Sequence, residues 1–353
     1  MKVNNLMAKL GNDIDAALIT NDISRRYLTG MKSSAGLILA TREESYLLID
    51  FRYYEAARRK VNDFEVIMLT DSIKQLNDLI HKHGVKCIAI EGQNMSVSEF
   101  SLYQERFPNI VFESTTLSKA LMEMRSIKSD IEIAKIEKAQ RIAESAFLHI
   151  LDFVRVGITE KDVALELDYF MLGNGAQALS FDTIAVSGEN GSSPHGVPTD
   201  KKISDGDLLT MDFGAVVDGY HSDMTRTIAI GSISQKAEES YYTVLEAQNK
   251  AIQSAVAGIS GRELDKIARD HIELKGYGSC FGHALGHGVG MEIHEEPRVS
   301  PKSEIKLCEN MIITVEPGIY ISREFGIRIE DMIVIGKNTN INLTNSPKNL
   351  IKV

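Results

Sequence analysis

The sequence predicts an α+β protein with two domains, an N-terminal α/β domain over residues 1–124 and a larger domain over residues 125–353. The chain has 353 residues, which is too long for one ordinary hydrophobic core. Its first third alternates short apolar strands with helical segments, a pattern typical of an α/β layer. The second part contains a weak internal repeat, which indicates two α+β halves around a pseudo-twofold axis.

The composition is that of a soluble globular protein, with 43% apolar and 25% charged residues. The net charge of −10 and the lack of a dense Lys/Arg run argue against a nucleic-acid partner. Cys87, Cys280 and Cys308 are far apart, which argues against a disulfide framework and fits a reducing compartment. The start of the chain lacks the apolar core of a signal peptide, and no run is long enough to span a bilayer. We therefore expect a cytoplasmic protein with no membrane partner.

Five short apolar runs predict the strands of the N-terminal domain: Ala16–Thr20, Ala35–Ala40, Ser45–Asp50, Phe64–Leu69 and Val85–Ile90. Candidate helices of this domain include Asp71–Lys82 and Ser96–Phe107. Gly30 and Gly36 are isolated, so this half has no dinucleotide-binding fingerprint. The sequence assigns no chemistry to the N-terminal domain.

A long helix is predicted from about Ser129, and the domain boundary is placed just before it. Its apolar residues recur at helical spacing and would form one buried stripe: Ala139, Ile142, Ala143, Ala146, Phe147 and Ile150. The internal repeat follows, because GITEKD at 157–162 resembles GISGRE at 258–263. Both segments match a helix capping box, a common motif, but the order of the elements around them also repeats.

The segment LLTMDFGAVVDGYHSDMTRTIAI predicts a β-hairpin with Asp218-Gly219 as its turn. With that turn, Asp212 lies opposite Thr225, and Asp223 lies diagonally beside Asp212 on the same face. Two carboxylates close together in a buried sheet repel each other, and a cation between them removes that repulsion. The alternative is that one of the two aspartates faces solvent.

Three histidines follow within twelve positions of FGHALGHGVGMEIHEEP, namely His283, His287 and His294. Glycines flank His287, so a ligand can approach its imidazole closely. A neutral imidazole is a common ligand for transition metals. The alternative is that these histidines are ordinary core residues.

Two β-rich runs, MIITVEPGIYI and GIRIEDMIVI, each contain a glutamate, Glu316 and Glu330, whose burial is costly unless it is paired or bound to metal. Arg328 lies two residues before Glu330 on the same strand face, so a salt bridge between them is the alternative to metal binding there. Four carboxylates and one imidazole, in the order Asp, Asp, His, Glu, Glu, suit two divalent ions. Oxygen and nitrogen ligands without a thiolate favour Mn²⁺, with Co²⁺, Fe²⁺ and Zn²⁺ as alternatives.

Residues 125–353 resemble the pita-bread metallopeptidases, which include methionine aminopeptidase, aminopeptidase P and prolidase. The resemblance rests on MDFGAVVDGYHSDMTRT, GHGVGMEIHEEP, TVEPGIY and IRIED, which match in order and local context. It implies a pita-bread fold with two pseudo-symmetric α+β halves. The metal ligands implied, all of which are present, are Asp212, Asp223, His287, Glu316 and Glu330.

Residues 1–124 resemble the creatinase-like N-terminal domain of the prolidase and aminopeptidase P branch, through the segments YLTG and LLIDFRYYEAA. In that branch the domain packs across a homodimer and helps to shape the substrate entrance. The resemblance therefore implies a homodimer here.

The resemblance also implies roles for residues around the metals. Glu316 would be the general base, while His195, in SSPHGVP, and His294, in IHEEP, would bind the substrate and stabilise the oxyanion. The alternatives are a surface loop for His195 and a core strand for His294. His283 matches a further histidine of the proline-specific members and would support the ligands.

The activity implied is hydrolysis of the bond between an N-terminal residue and a following proline. Arg298, after HEEP, matches an arginine that binds the dipeptide carboxylate in some prolidases, which favours a dipeptidase; the alternative is an exposed loop residue. Arg328 is also expected to contact the substrate. The competing functions are an aminopeptidase P acting on longer peptides, a methionine aminopeptidase, a creatinase-like hydrolase and a metal-free binding protein on the same fold.

Overall fold

The computed structural model describes residues 2–353, which divide between Met124 and Arg125 into two compact units. The strands of the first unit are β1 Ala16–Ile19, β2 Leu37–Thr41, β3 Ser45–Ile49, β4 Glu65–Met68, β5 Cys87–Ile90 and β6 Val111–Glu113. Its helices are α1 Lys2–Lys9, α2 Asp22–Thr29, α3 Phe51–Lys60, α4 Ser72–Lys82, α5 Val97–Arg106 and α6 Thr116–Ser126, of which α6 ends two residues past the division.

The strands of the first unit form one mixed sheet in the order β4-β3-β2-β1-β5-β6. The β1–β2 and β2–β3 pairs are antiparallel and the other pairs are parallel. All five predicted strands are present, and the predicted α/β layer is confirmed. The sixth strand, β6, was missed because it is short and largely accessible, so it lacks the apolar run of a core strand.

The predicted helices at Asp71 and Ser96 each begin one residue later than predicted. Asp71 and Ser96 are N-cap residues, whose side chains accept hydrogen bonds from the backbone N–H groups of Lys74 and Glu99. The capping residue therefore ends the preceding loop instead of starting the helix.

The second unit has two long helices, α7 Asp130–Phe153 and α9 Gln235–Ser254, each followed by a shorter one, α8 Glu160–Gly173 and α10 Gly261–Leu274. Its strands are β7 Ala178–Leu179, β8 Ile184–Ser187, β9 Leu208–Phe213, β10 Ala215–Val217, β11 Tyr220–His221, β12 Met224–Ala229, β13 Gly286–Gly288, β14 Glu295–Val299, β15 Ile312–Val315, β16 Gly318–Ile321, β17 Phe325–Arg328, β18 Asp331–Ile335 and β19 Asn340–Asn342. A short 3₁₀-helix at Gly188–Ser192 follows β8.

The predicted internal repeat is confirmed by equivalent capping boxes and backbone hydrogen bonds. Thr159 caps α8 with Asp162, and Ser260 caps α10 with Glu263. In the first half the N–H groups of residues 157, 160 and 161 donate to the carbonyls of 203, 201 and 199. In the second half the N–H groups of residues 258, 261 and 262 donate to the carbonyls of 307, 305 and 303. Each half has its own apolar core, which includes the inner faces of its two helices.

The two halves of the second unit meet where β12 forms hydrogen bonds with the chain around Arg328 and Glu330. In the first half, β9 lies between β8 and β12. In the second half, the order is β14-β13-β15-β18-β19. The backbone N–H of Glu330, between β17 and β18, donates to the carbonyl of Thr225 on β12 at 3.1 Å. This contact places the acidic residues of one half beside those of the other.

None of the helices formed by residues 2–353 is long and apolar enough to cross a membrane. The three cysteines are free thiols.

Candidate metal centre

The β9–β12 hairpin carries the first two candidate ligands. Asp218 and Gly219 both have positive φ, 49° and 79°, as a two-residue hairpin turn requires. The register set by this turn pairs Asp212 with Thr225, as predicted. Asp223 directly precedes β12 and is 4% exposed. Both carboxylates thus lie in the interior of the second unit instead of facing solvent.

The second half supplies an imidazole and two glutamates. His287 lies in the middle of β13, and its Nε2 is 3.5 Å from Asp223 Oδ2 and 3.4 Å from Glu316 Oε1. Atoms of Asp223, His287 and Glu330 all lie within 4.8 Å of one another. Glu316 comes directly after β15, and Glu330 lies between β17 and β18. The two glutamates therefore lie at breaks between strands and not within them, unlike the mid-strand positions expected from the sequence.

The orientation of His287 is that of a metal ligand. Its Nδ1 is 3.0 Å from the carbonyl oxygen of Gly288, so Nδ1–H donates and Nε2 keeps its lone pair. Burial lowers the pKa of His287, which favours this neutral form. A lone pair that faces two carboxylate oxygens is repelled by them, and a cation between the three groups converts that repulsion into attraction.

The carboxylates show the same need for positive charge. Burial, followed by repulsion from neighbouring carboxylates, raises the pKa of Asp223 and Glu330 well above the ordinary values. Burial also raises the pKa of Glu316 to about 7, although Arg328 acts in the opposite direction. Oδ1 of Asp212 is buried without a hydrogen-bond partner. These side chains therefore fit bound divalent cations, which would neutralise the group and satisfy that oxygen.

Arg328 corrects one hypothesis drawn from the sequence. Its guanidinium does not form the salt bridge with Glu330; its Nη2 donates to Asp212 Oδ2 at 2.6 Å. Thr225 stands between Arg328 and Glu330, because its hydroxyl accepts from Arg328 Nε and donates to Glu330 Oε2. The arginine thus supports a ligand on the neighbouring hairpin and not the glutamate on its own strand.

A chain of hydrogen bonds continues from Arg328 to His283. Nη1 of Arg328 donates to the hydroxyl of Tyr320 at 2.9 Å, and that hydroxyl is 2.9 Å from His283 Nε2. Nδ1 of His283 contacts the carbonyl oxygen of Ala284 at 2.8 Å, and burial lowers the pKa of this histidine to about 4. The neutral ring therefore accepts a hydrogen bond from the Tyr320 hydroxyl at Nε2 and helps to fix the position of Arg328 beside Asp212.

The remaining predicted residues lie at the accessible side of this cluster. The ring of His294 is 4.4 Å from that of His287, in a bend before β14 and not in a core strand. Burial lowers the pKa of His294, and the charge of Arg298 adds to that effect, so the exposed Arg298 is within electrostatic reach. His195 is exposed in a loop, yet it also contributes, after burial, to the pKa of His294 and Glu316.

Sequence reasoning missed three hydroxyl groups that orient this site. Thr225 bridges Arg328 and Glu330, and Tyr320 joins Arg328 to His283. The hydroxyl of Thr314 accepts from the backbone N–H of His287 and lies 3.0 Å from Glu316 Oε1. Thr225 and Thr314 each lie on a strand two residues from a ligand, and Tyr320 lies four residues after Glu316. The alternation of strand faces was therefore the only signal in the sequence.

Four carboxylates and an imidazole gathered between two similar α+β halves define a metal-dependent hydrolase. The chain belongs to metallopeptidase family M24, whose model matches residues 134–337, and residues 1–127 match the creatinase/prolidase N-terminal domain. It is therefore a metallopeptidase with the predicted pita-bread fold, and this family implies bound divalent metal.

Three similar proteins carry names that specify a substrate. An Xaa-Pro dipeptidase of Pyrococcus horikoshii is 41% identical over 342 residues, 96% of this chain and 95% of that protein. The structure of an Xaa-Pro dipeptidase from Bacillus anthracis is 40% identical, with a TM-score of 0.97 and coverage of 100% of this chain and 99% of that chain. The crystal structure of an X-Pro aminopeptidase from Thermotoga maritima MSB8 is 39% identical, with a TM-score of 0.91 and coverage of 96% and 98%.

Proposed function

We propose that this chain is a two-metal exopeptidase that hydrolyses Xaa-Pro dipeptides. The observation that carries the proposal is the group formed by Asp212, Asp223, His287, Glu316 and Glu330. Burial raises the carboxyl pKa of Asp223, Glu316 and Glu330, and the lone pair of His287 Nε2 faces the carboxylates, so the group suits cations. These five side chains would hold two divalent ions, which would lower the pKa of water and polarise the peptide carbonyl. We propose Mn²⁺ as the metal, since the ligand set is rich in oxygen and lacks sulfur.

Glu316 is the proposed general base. It follows β15 directly, its backbone N–H donates to the carbonyl of Leu285, and its Oε1 lies 3.4 Å from His287 Nε2. Glu316 would take a proton from water and give it to the leaving proline nitrogen.

His195 and His294 are the proposed donors to the oxygen that becomes negative during the reaction. Both are exposed enough to meet a substrate, and both lie within electrostatic reach of the ligand cluster. A neutral imidazole N–H aimed at that oxygen stabilises the transition state more than the substrate, so it raises kcat. His283 would serve the site indirectly, through Tyr320 and Arg328.

Two arginines are the proposed contacts for the substrate. The exposed side chain of Arg298 suits the free carboxylate of a dipeptide, and the backbone N–H of this residue donates to Glu296 Oε2 at 2.9 Å. Arg328 uses four of its five N–H groups on Asp212, Thr225, Tyr320 and the carbonyl of Pro194, which leaves one for a substrate group.

The dipeptidase activity is favoured over aminopeptidase activity because of Arg298 and the names of two relatives. The named X-Pro aminopeptidase structure keeps the second activity as a candidate, in which the C-terminal side of the site must stay open for a longer peptide. We further propose that the protein works in the cytoplasm as a homodimer, in which the N-terminal domain shapes the substrate entrance. The three free thiols support a reducing compartment.

Hydrolysis of Ala-Pro and Ala-Pro-Ala by the manganese-loaded protein, each with a chelator blank, tests the proposed substrate. Fast cleavage of the dipeptide alone is the expected result. Equal or faster cleavage of the tripeptide would make the protein an aminopeptidase and leave Arg298 as an exposed loop residue. Cleavage of neither peptide, in protein that has bound metal, would contradict proline specificity.

A further inference from the structure

The loop that carries His195 is attached at both ends to one buried carboxylate, that of Glu160. This glutamate is the first residue of α8 and is fully buried. Its Oε1 accepts from the backbone N–H of Ser187 at 2.7 Å, from the Ser187 hydroxyl at 3.0 Å and from Asn190 Nδ2 at 3.2 Å. Its Oε2 accepts from Asn190 Nδ2 at 3.0 Å, the N–H of Thr199 at 3.1 Å and the Thr199 hydroxyl at 2.7 Å.

These donors lie on opposite sides of His195 in the sequence. Ser187 and Asn190 precede it, and Thr199 follows it, so Glu160 holds the two ends of the segment 187–199 together. Within the part of the chain that the structure describes, no Lys, Arg or His nitrogen forms a salt bridge with Glu160. A buried carboxylate held only by neutral donors is costly to bury, which indicates that its contacts serve a specific arrangement.

The middle of the same segment is also fixed, directly beside His195. The carbonyl of Pro194 accepts from Arg328 Nη1 at 3.2 Å. A Cβ at Gly196 would come within 2.9 Å of Val186 Cγ1, so the backbone there packs against β8 without room for a side chain. The imidazole of His195 is therefore exposed on a loop whose backbone is held at three places.

The second α+β half of the second unit shows that the fold does not require this carboxylate. Gly261 is the counterpart of Glu160, because both follow the capping residue and both donate their N–H to an equivalent carbonyl. A Cβ at Gly261 would lie 2.5 Å from the carbonyl oxygen of Arg298 and 2.8 Å from Ser303 Oγ. That half closes its corresponding segment by direct packing, so the glutamate belongs to the histidine-bearing loop alone.

We propose that Glu160 is a positioning residue that holds His195 at the metal centre. The proposal rests on the role of His195 in the proposed function. A glutamine at position 160 has one acceptor oxygen, and its NH₂ group would face N–H and O–H donors that now share the second oxygen. One end of the loop would then be released, and the imidazole would lose its fixed distance from the substrate.

The test compares Glu160→Gln with Glu166→Gln, a matched control on the same helix. Glu166 pairs with His149 away from the loop, so its replacement removes a carboxylate without touching 187–199. Amide hydrogen exchange of residues 187–199 reports loop release, and kcat for Ala-Pro with full metal loading reports its effect. Thr199→Val is a milder variant, since it removes one hydroxyl donor and keeps the glutamate.

Faster exchange in 187–199 and a kcat reduced by up to about 100-fold are expected for Glu160→Gln, as for a displacement of about 1 Å at a reacting group. KM should change little, because the lost contact acts in the transition state. Glu166→Gln should match the wild type, and Thr199→Val should move both readouts in the same direction by less. In the double variant that combines Glu160→Gln with His195→Ala, the loss of kcat should not exceed that of His195→Ala alone.

Unchanged exchange in Glu160→Gln, or a kcat loss that adds fully to that of His195→Ala, would overturn the proposal. A large loss in His195→Ala with none in Glu160→Gln would overturn the proposal and leave the proposed function intact. Full activity of His195→Ala would reject the role of His195 itself, and the positioning role would fail with it.

Discussion

Replacement of Glu295 by glutamine should destabilise the second unit far more than replacement of its neighbour Glu292. Both carboxylates pair with Arg125, but their surroundings differ. The side chain of Glu295 is 5% exposed and also contacts Lys128 Nζ at 3.3 Å and the backbone N–H of Glu292 at 3.1 Å. The side chain of Glu292 is 44% exposed and contacts Arg125 Nη2 at 2.6 Å.

The magnitude follows from the charges that each change leaves behind. Burial already lowers the pKa of Lys128 despite the attraction of Glu295, so its ammonium group is costly to keep charged without that partner. Glu295→Gln would remove the buried carboxylate that both cations contact, which costs about 3–5 kcal/mol of unfolding free energy. Glu292→Gln removes an exposed partner and should cost at most about 1 kcal/mol.

Thermal unfolding at neutral pH, followed by calorimetry, measures both effects. For a unit of this size, Glu295→Gln should lower Tm by roughly 10 °C and Glu292→Gln by no more than about 4 °C. If the Tm values of the two variants agree to within about 1 °C, the proposed role of the buried charges is refuted.

The same carboxylate predicts a pH dependence. Burial would raise the pKa of Glu295, but Lys128 and Arg125 hold it below the ordinary value of 4.5. Its contribution to stability is therefore full above about pH 4.5 and is lost as the pH falls through the lower folded-state pKa. Glu295→Gln should lack this part of the acid sensitivity.

Further predictions concern the metal centre. Glu316→Gln should abolish hydrolysis of Ala-Pro while the protein still binds metal, and a rate above a few per cent of the wild type would contradict its role as base. Arg298→Ala should raise KM for Ala-Pro by about tenfold or more, the value of a charge-assisted hydrogen bond, and leave KM for Ala-Pro-Ala unchanged. Because burial raises the pKa of Glu316 from 4.5 to about 7, the chelated protein should lose stability as the pH rises between these values. Added Mn²⁺ should raise Tm most above pH 7; a chelated Tm that rises over that window would contradict the repulsion among the carboxylates.

The parts of the site that were predicted depend on local rules. Asp218-Gly219 fixes the hairpin turn, and the turn fixes the register, so the pairing of Asp212 with Thr225 followed from the sequence. The capping boxes at Thr159 and Ser260 marked the two starts of the repeat in the same way. Each of these signals lies within a few residues of the structure that it specifies.

The parts that were missed depend on contacts between distant strands. A salt bridge of Arg328 with Glu330, two residues away, was the alternative to metal binding, because the sequence cannot show that Arg328 pairs with Asp212 instead. Tyr320 and Thr225 acquire their roles only when β16, β17 and β12 come together. Glu160 was read only as part of a capping segment, since its six hydrogen bonds reach residues that lie 27 to 39 positions along the chain.

Titration of the metal-free protein with Mn²⁺, with bound metal and Ala-Pro hydrolysis measured in the same samples, tests the two-metal account most directly. We expect the rate to reach its maximum at two ions per chain and to vanish with chelator. A full rate at one ion per chain, or hydrolysis that persists without metal, would contradict the account.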